Sequence, residues 1–278
     1  MDYLVTCDWL KKKQHEENIV VIDVRFQLKD SDAGRKAYLE GHIPGAVYLD
    51  LNKDLSSKPV KHGGSHPLPE MDVFAAKLGS IGITDDTTVV IYDENNDMFA
   101  ARMWWLLYYV GHENTYLLDG GLKAWVEDGN ELTTEVPALH ARTFEPRIRE
   151  NETVDMETVR DRGEKVVLID SRSPDRYSGK TEPMYKKAGH IPGAINYFWK
   201  DVLRENGGWK NTDELSDHFN ALDKDDEIIV SCGSGVSACP NVIALKSAGF
   251  KNVKLYPGSY SDWISYDENE TETEEGKS

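Results

Sequence analysis

"VVIDVRFQLKDSDAGRKAYLEGHIPGAVYLD", residues 20–50, has a second version in the same chain, "VLIDSRSPDRYSGKTEPMYKKAGHIPGAINY", residues 167–197. Each is an apolar run closing on Asp-x-Arg, then a polar stretch, then Gly-His-Ile-Pro-Gly-Ala. Another pair follows in the same order: residues 88–125, "TVVIYDENNDMFAARMWWLLYYVGHENTYLLDGGLKAW", match residues 227–263, "EIIVSCGSGVSACPNVIALKSAGFKNVKLYPGSYSDW". Motifs that match in order indicate a tandem duplication. A period of well over 100 residues exceeds that of any solenoid repeat, so each copy is expected to be a domain with its own core.

Within the second copy "VVLID", "IIVSC" and "VKLYP" are near-continuous apolar runs, as strands covered on both faces require, while "DELSDHFNAL" and "NVIALKSAG" space their apolar residues as helices do. Strands alternating with helices predict an α/β fold, a parallel sheet flanked by helices in each copy. Pro240 falls in the first turn of its helix, where a missing amide hydrogen costs little, and Gly249 is placed to end it. The expected divisions are a first domain over 1–132, a linker over 133–152 with Pro137, Pro146 and many charges, a second domain over 153–266, and an acidic, disordered tail over 267–278. The repeated Gly-His-Ile-Pro-Gly-Ala reads as a turn into a short strand, which makes His42 and His190 structural and not ligands.

Composition narrows the function. A formal charge of −17 at pH 7 disfavours nucleic-acid partners and anionic membranes, which draw affinity from Lys and Arg. No run reaches the ~20 apolar residues of a membrane helix, and the first residues lack the order of a signal peptide, so a soluble, cytoplasmic protein is expected. Three cysteines, Cys7, Cys232 and Cys239, do not resemble a disulfide framework and fit a reducing compartment. Without Cys-x-x-Cys or paired histidines, neither a metal nor an organic cofactor is implied.

The two copies differ where a strand breaks into a loop: Cys232 stands opposite Asp93. Ligands of open α/β sheets bind beyond the carboxyl ends of the strands, which is this junction. Gly233 and Gly235, with Ser234 and Ser237 between and after them, let the amides of 233–237, Val236 included, curl around one point. The next helix directs its N-terminal dipole there, which favours a thiolate. Cys232 is therefore the candidate nucleophile. Cys7, near the chain start, and Cys239, in the following helix, are read as structural.

The tandem organisation, the duplicated Gly-His-Ile-Pro-Gly-Ala and the loop "CGSGVSA" resemble the two-domain rhodanese family of sulfurtransferases over nearly the whole chain. The resemblance implies two rhodanese-like domains. The second is catalytic through a cysteine persulfide, and the first is a degenerate copy with Asp93 at the matching place. The loop is similar to that of 3-mercaptopyruvate sulfurtransferases, with Ser237 replacing Thr, whereas thiosulfate sulfurtransferases show Arg-Lys where this chain has Gly233 and Ser234. "SPDRYSGKTEP" resembles the segment that carries the family's substrate-binding arginine, which falls on Arg176; a guanidinium can hold a carboxylate with two parallel hydrogen bonds. A second arginine found in mercaptopyruvate enzymes is absent from "PMYKKAGH", where Lys186 is the substitute. "DLNKDLSS" and "HPLP" resemble segments lining the family's cleft, which adds Asp50 and His66 as candidates, with Asn52 in place of a family aspartate.

The implied reaction moves a sulfane sulfur from a small anionic donor, 3-mercaptopyruvate, through Cys232 to a thiol, thioredoxin or cyanide. Arg176 positions the donor and Ser234 relays a proton. The alternatives are a thiosulfate sulfurtransferase with the same persulfide, and a persulfide carrier or binding module without turnover. Some phosphatases share the family's fold, but they need a longer loop and an arginine six residues after the cysteine, and residue 238 is Ala.

Overall fold

The apolar runs of the repeat become the strands of two wholly parallel sheets in the computed structural model, which describes residues 3–14, 16 and 18–274. Strands β1 (Leu4–Val5), β2 (Ile19–Asp23), β3 (Ala46–Tyr48), β4 (Thr88–Tyr92) and β5 (Thr115–Leu118) lie in the order β1-β5-β4-β2-β3. Strands β6 (Val167–Asp170), β7 (Ile195–Asn196), β8 (Glu227–Ser231) and β9 (Asn252–Leu255) lie in the order β7-β6-β8-β9. With β2, β3, β4 and β5 set against β6, β7, β8 and β9, the neighbours are the same. The extra edge strand β1, registered Leu4 on Leu117, is matched by a single parallel bridge from Thr153 to Leu255.

Each sheet belongs to its own compact unit. The first comprises the chain up to Ser57, Leu68–Arg149 and Glu205–Trp209; the second comprises Lys58–Pro67, Glu150–Arg204 and the chain from Lys210. Central strands are buried on both faces, as near-continuous Val and Ile runs require: Val89, Val90 and Ile91 of β4 and Ile228, Ile229 and Val230 of β8 are closed to solvent. Helices complete the layers. In the first unit Leu10 and Trp125 cover Val21, Val90 and Leu118, while in the second Val159, Tyr260 and Trp263 cover Leu168 and Ile229. Each such aliphatic side chain contributes about 1.5–3 kcal/mol through burial.

The duplicated Asp-x-Arg fastens each sheet to its Gly-His-Ile-Pro-Gly-Ala turn. Arg25 donates through Nε to Asp23 and through Nη2 to the Gly41 carbonyl; Arg172 does the same with Asp170 and Gly189. His42 stacks on Tyr38 and His190 on Tyr177, both at 3.9 Å between ring centroids, and each Nδ1 lies against its tyrosine's own carbonyl. Both histidines are structural, as the turn reading expects.

Two expectations are corrected. Residues 133–149 are not a free linker but part of the first unit. Thr133 pairs antiparallel with His42, the Arg142 amide donates to the Gly79 carbonyl, the Arg147 amide donates to the Val110 carbonyl, and Phe144 is buried. The tail is not disordered over 267–274: Asn269 is buried, Glu272 pairs antiparallel with His190, and the Glu274 amide donates to the Ser178 carbonyl. Backbone pairing holds both stretches in spite of their charged composition, and the remainder of the expected tail, 275–278, lies outside the described residues. No helix among the described residues is long and apolar enough to cross a membrane.

Candidate active site

Strand β8 ends at Ser231 and the helix Cys239–Ser247 begins seven residues after Cys232, so the loop between them must turn the chain back over the sheet. Gly235 makes that turn possible. Its φ of +76° lies in the left-handed region, and a Cβ there would meet the Pro257 carbonyl oxygen at 2.2 Å. In this conformation the Gly235 amide donates to Cys232 Sγ at 3.1 Å. Cys232 itself is buried.

The loop is held from below by the start of the helix Ser259–Trp263: the amides of Tyr260 and Ser261 donate to the carbonyls of Cys232 and Gly233. The first copy does the same, with Leu122 and Lys123 donating to Asp93 and Glu94. The residue before each anchoring pair has positive φ, +59° at Gly121 and +53° at Ser259. A serine adopts this conformation with strain, and here its hydroxyl is in use. Ser259 Oγ accepts the Cys232 amide at 3.0 Å, donates to the Tyr256 carbonyl at 2.8 Å and lies 4.0 Å from the sulfur.

Asp93 shows what the same junction does without a thiol. Its carboxylate accepts the amides of Asp97 and Ala100 at 2.8 and 2.9 Å and so closes the loop into the helix Met98–Tyr109. Complete burial, reinforced by the neighbouring Asp97, pushes its carboxyl well above the ordinary range. A carboxyl in this position anchors the loop and is a poor nucleophile toward sulfur.

Of the residues expected at the site, the second unit brings His66 to the loop: its Nδ1 lies 2.8 Å from Ser234 Oγ. The segment around it is tied down by the Gly63 amide on Asp262 and the Ser65 amide on Ser261 Oγ. Gly233, Val236 and Ser237 lie in the loop as expected; Gly233 and Val236 are buried and Ser237 is partly so.

Arg176 is engaged differently from the expectation. Its Nε and Nη2 donate to Glu182 at 2.9–3.2 Å, so the fork assigned to a donor carboxylate is occupied by a carboxylate of the chain. Glu182 also takes Nη1 of Arg172 and is itself buried, 3% exposed in its side chain. Lys186 is exposed. Asp50 lies in the first unit, where its carboxylate accepts the amides of Asn52 and Lys53 and shapes a turn.

Sequence reasoning missed Tyr185, the neighbour of Lys186. The phenol oxygen lies 3.0 Å from where a Cβ on Gly233 would stand, and Arg176 lies over its ring, 5.4 Å from the centroid. Burial, and then the charge of Cys232, raise its phenol above the ordinary value. Ser259 and Glu182 were missed as well. The signal for Ser259 was a serine opposite a glycine of the other copy; that for Glu182 was an acid six residues from Arg176 in an otherwise basic segment.

The rhodanese-like domain family matches residues 6–128 and 156–266. A "Probable 3-mercaptopyruvate sulfurtransferase" of Pseudomonas aeruginosa is 40% identical over 270 residues, covering 94% of this chain and 95% of that protein. The sulfur carrier protein TtuD of Thermus thermophilus is 32% identical, covering 94% and 93%. Among solved structures, that of SseA from Escherichia coli, described with the rhodanese fold and catalytic mechanism of 3-mercaptopyruvate sulfotransferases, superposes with a TM-score of 0.83 at 34% identity, covering 93% of this chain and 99% of the other. Matched in both copies and over nearly its whole length, this chain belongs to the rhodanese family.

Proposed function

We propose that the protein is a sulfurtransferase in which Cys232 takes the sulfur of 3-mercaptopyruvate as a persulfide. The observation that carries this reading is the Gly235 amide directed at Cys232 Sγ at 3.1 Å inside a loop whose Ser234 faces His66. The amide meets the sulfur that would attack as a thiolate.

The Cys232 thiolate attacks the donor sulfur. An S–S bond forms, the donor's C–S bond breaks, and its electron pair passes into the enolate of pyruvate, which takes a proton at carbon. Ser234, with His66 behind it at 2.8 Å, supplies a route for that proton. The acceptor, cyanide or a thiol such as that of thioredoxin, then attacks the outer sulfur and returns Cys232 as thiolate. Cyanide leaves as thiocyanate and a thiol leaves as its persulfide. Arg176 keeps Nη1 outside its contact with Glu182 and offers the donor a single charged edge.

The test is turnover of 3-mercaptopyruvate and of thiosulfate side by side, with cyanide as acceptor, for the wild type and Cys232→Ser. The expected result is a higher kcat/KM with mercaptopyruvate and none in the variant, whose fold is intact by circular dichroism. Transfer surviving in Cys232→Ser refutes the assignment. Preference for thiosulfate replaces the donor while leaving the persulfide in place. Sulfur gained by Cys232 without turnover of either donor makes the chain a carrier.

A further inference from the structure

Neither cation expected at the site is aimed wholly at a donor. The Arg176 fork holds Glu182, Lys186 is exposed, and the side chain nearest to a Cβ built on Gly233 is the phenol of Tyr185. Its position is fixed on several sides. The Arg176 guanidinium covers the ring at 5.4 Å from its centroid and the Tyr260 ring packs beside it at 6.1 Å between centroids, while Ser261, which accepts the Ser65 amide at 3.0 Å and donates to the Gly258 carbonyl at 3.2 Å, fixes the neighbouring segment. Gly233 has room for no side chain without moving that phenol, since a Cβ would stand 3.0 Å from the oxygen and 3.4 Å from Cε2. A ring packed in this way presets the place of its hydroxyl beside Gly233, so little rearrangement is needed to meet a ligand.

We propose that Tyr185 is the donor-selecting residue of this site, a hydrogen-bond donor to the carboxylate or keto oxygen of a monoanionic α-keto thiol, and that with the half-engaged Arg176 it excludes dianionic donors. This rests on Cys232 being the sulfur-accepting nucleophile. A phenol donates one directed hydrogen bond and carries no charge. It therefore recognises an oxygen of a singly charged donor but cannot balance two negative charges, for which a guanidinium or ammonium is required. The raised ionisation of the buried phenol keeps it in the donating form at neutral pH.

The test compares the wild type with Tyr185→Phe and Tyr185→Arg, using 3-mercaptopyruvate and thiosulfate as probes and cyanide as acceptor. Tyr185→Phe keeps the ring under Arg176 and removes only the hydroxyl; KM for mercaptopyruvate is expected to rise about tenfold, the loss of one hydrogen bond to a charged group, with thiosulfate kinetics changed less than about twofold. Tyr185→Arg is expected to lower KM for thiosulfate. Mass spectrometry of Cys232 after exposure to each donor separates the two ideas. If wild-type Cys232 gains no sulfur from either donor, the underlying nucleophile reading fails. If it gains sulfur and Tyr185→Phe changes both donors alike or neither, Tyr185 supports the fold and the selection proposal is overturned.

Discussion

Replacing Gly235 by Ala tests whether the loop geometry, and not the thiol alone, makes the site. The residue has φ of +76°, where a Cβ costs about 1 kcal/mol, and the new methyl would stand 2.2 Å from the Pro257 carbonyl oxygen and 2.9 Å from its carbonyl carbon and Cα. Backbone cannot swing away as the end of a side chain can. Relieving the overlap costs about a further 1–3 kcal/mol, giving a total of about 2–4 kcal/mol. For a unit of this size that lowers the melting temperature by about 10 °C, at roughly 3–4 °C per kcal/mol. The displacement also takes the Gly235 amide off Cys232 Sγ, so turnover and the alkylation rate of Cys232 should fall by about 10–100-fold, the loss of one hydrogen bond to a charged group. Gly233→Ala is the control. Its φ is unexceptional and its new methyl meets the end of one side chain, Tyr185, at 3.0–3.6 Å and no backbone, so it should melt closer to the wild type. Differential scanning calorimetry with iodoacetamide kinetics on both variants reads the effect. A fall of less than about 3 °C for Gly235→Ala with undiminished alkylation would refute the reasoning.

Glu182→Gln removes the buried carboxylate shared by Arg172 and Arg176 and should destabilise by about 3 kcal/mol in urea melts, yet lower KM for thiosulfate by releasing the Arg176 fork; an unchanged thiosulfate KM would show that the fork does not face the donor. Burial, then Asp128, pushes the Cys7 thiol from 9.0 up to about 12. Its folded value therefore lies above its unfolded one, the folded form holds the proton more tightly, and the resulting stability is present below pH 9 and lost as pH rises toward 12. Relative to the wild type, Cys7→Ala should gain stability in urea melts between about pH 8 and pH 10.5, and a constant difference would contradict the shift. Iodoacetamide at about pH 8 should accordingly leave Cys7 unmodified in the folded protein.

The fold was legible because β6 and β8 are short strands with three consecutive apolar residues, β9 alternates apolar with polar, and the repeat supplied a second reading of each. Cys232 became the candidate nucleophile through one contrast, its place opposite Asp93 in an otherwise matched loop. His66 came from its resemblance to a family segment, and the structure sets it against Ser234. What stayed hidden depends on which partner a side chain chooses among several. A sequence shows that Arg176 carries a fork, but not that Glu182 fills it; it shows Tyr185 and Lys186 side by side, but not which turns inward. Composition misled over 133–149 and 267–274, since charge argues for solvent while the main chain of Thr133 and Glu272 pairs with histidines far away in sequence.

Those two pairings are themselves a repeat. Thr133 exchanges both backbone hydrogen bonds with His42, and Glu272 does the same with His190, so the stretch after each copy fastens the turn of the copy it follows. The inherited module therefore runs past the last motif in both instances and brings its own clasp. This clasp is made by main chain alone and involves neither Asp93 nor Cys232. The two copies can therefore carry different chemistry, Asp93 in one and Cys232 in the other, on the same order of strands.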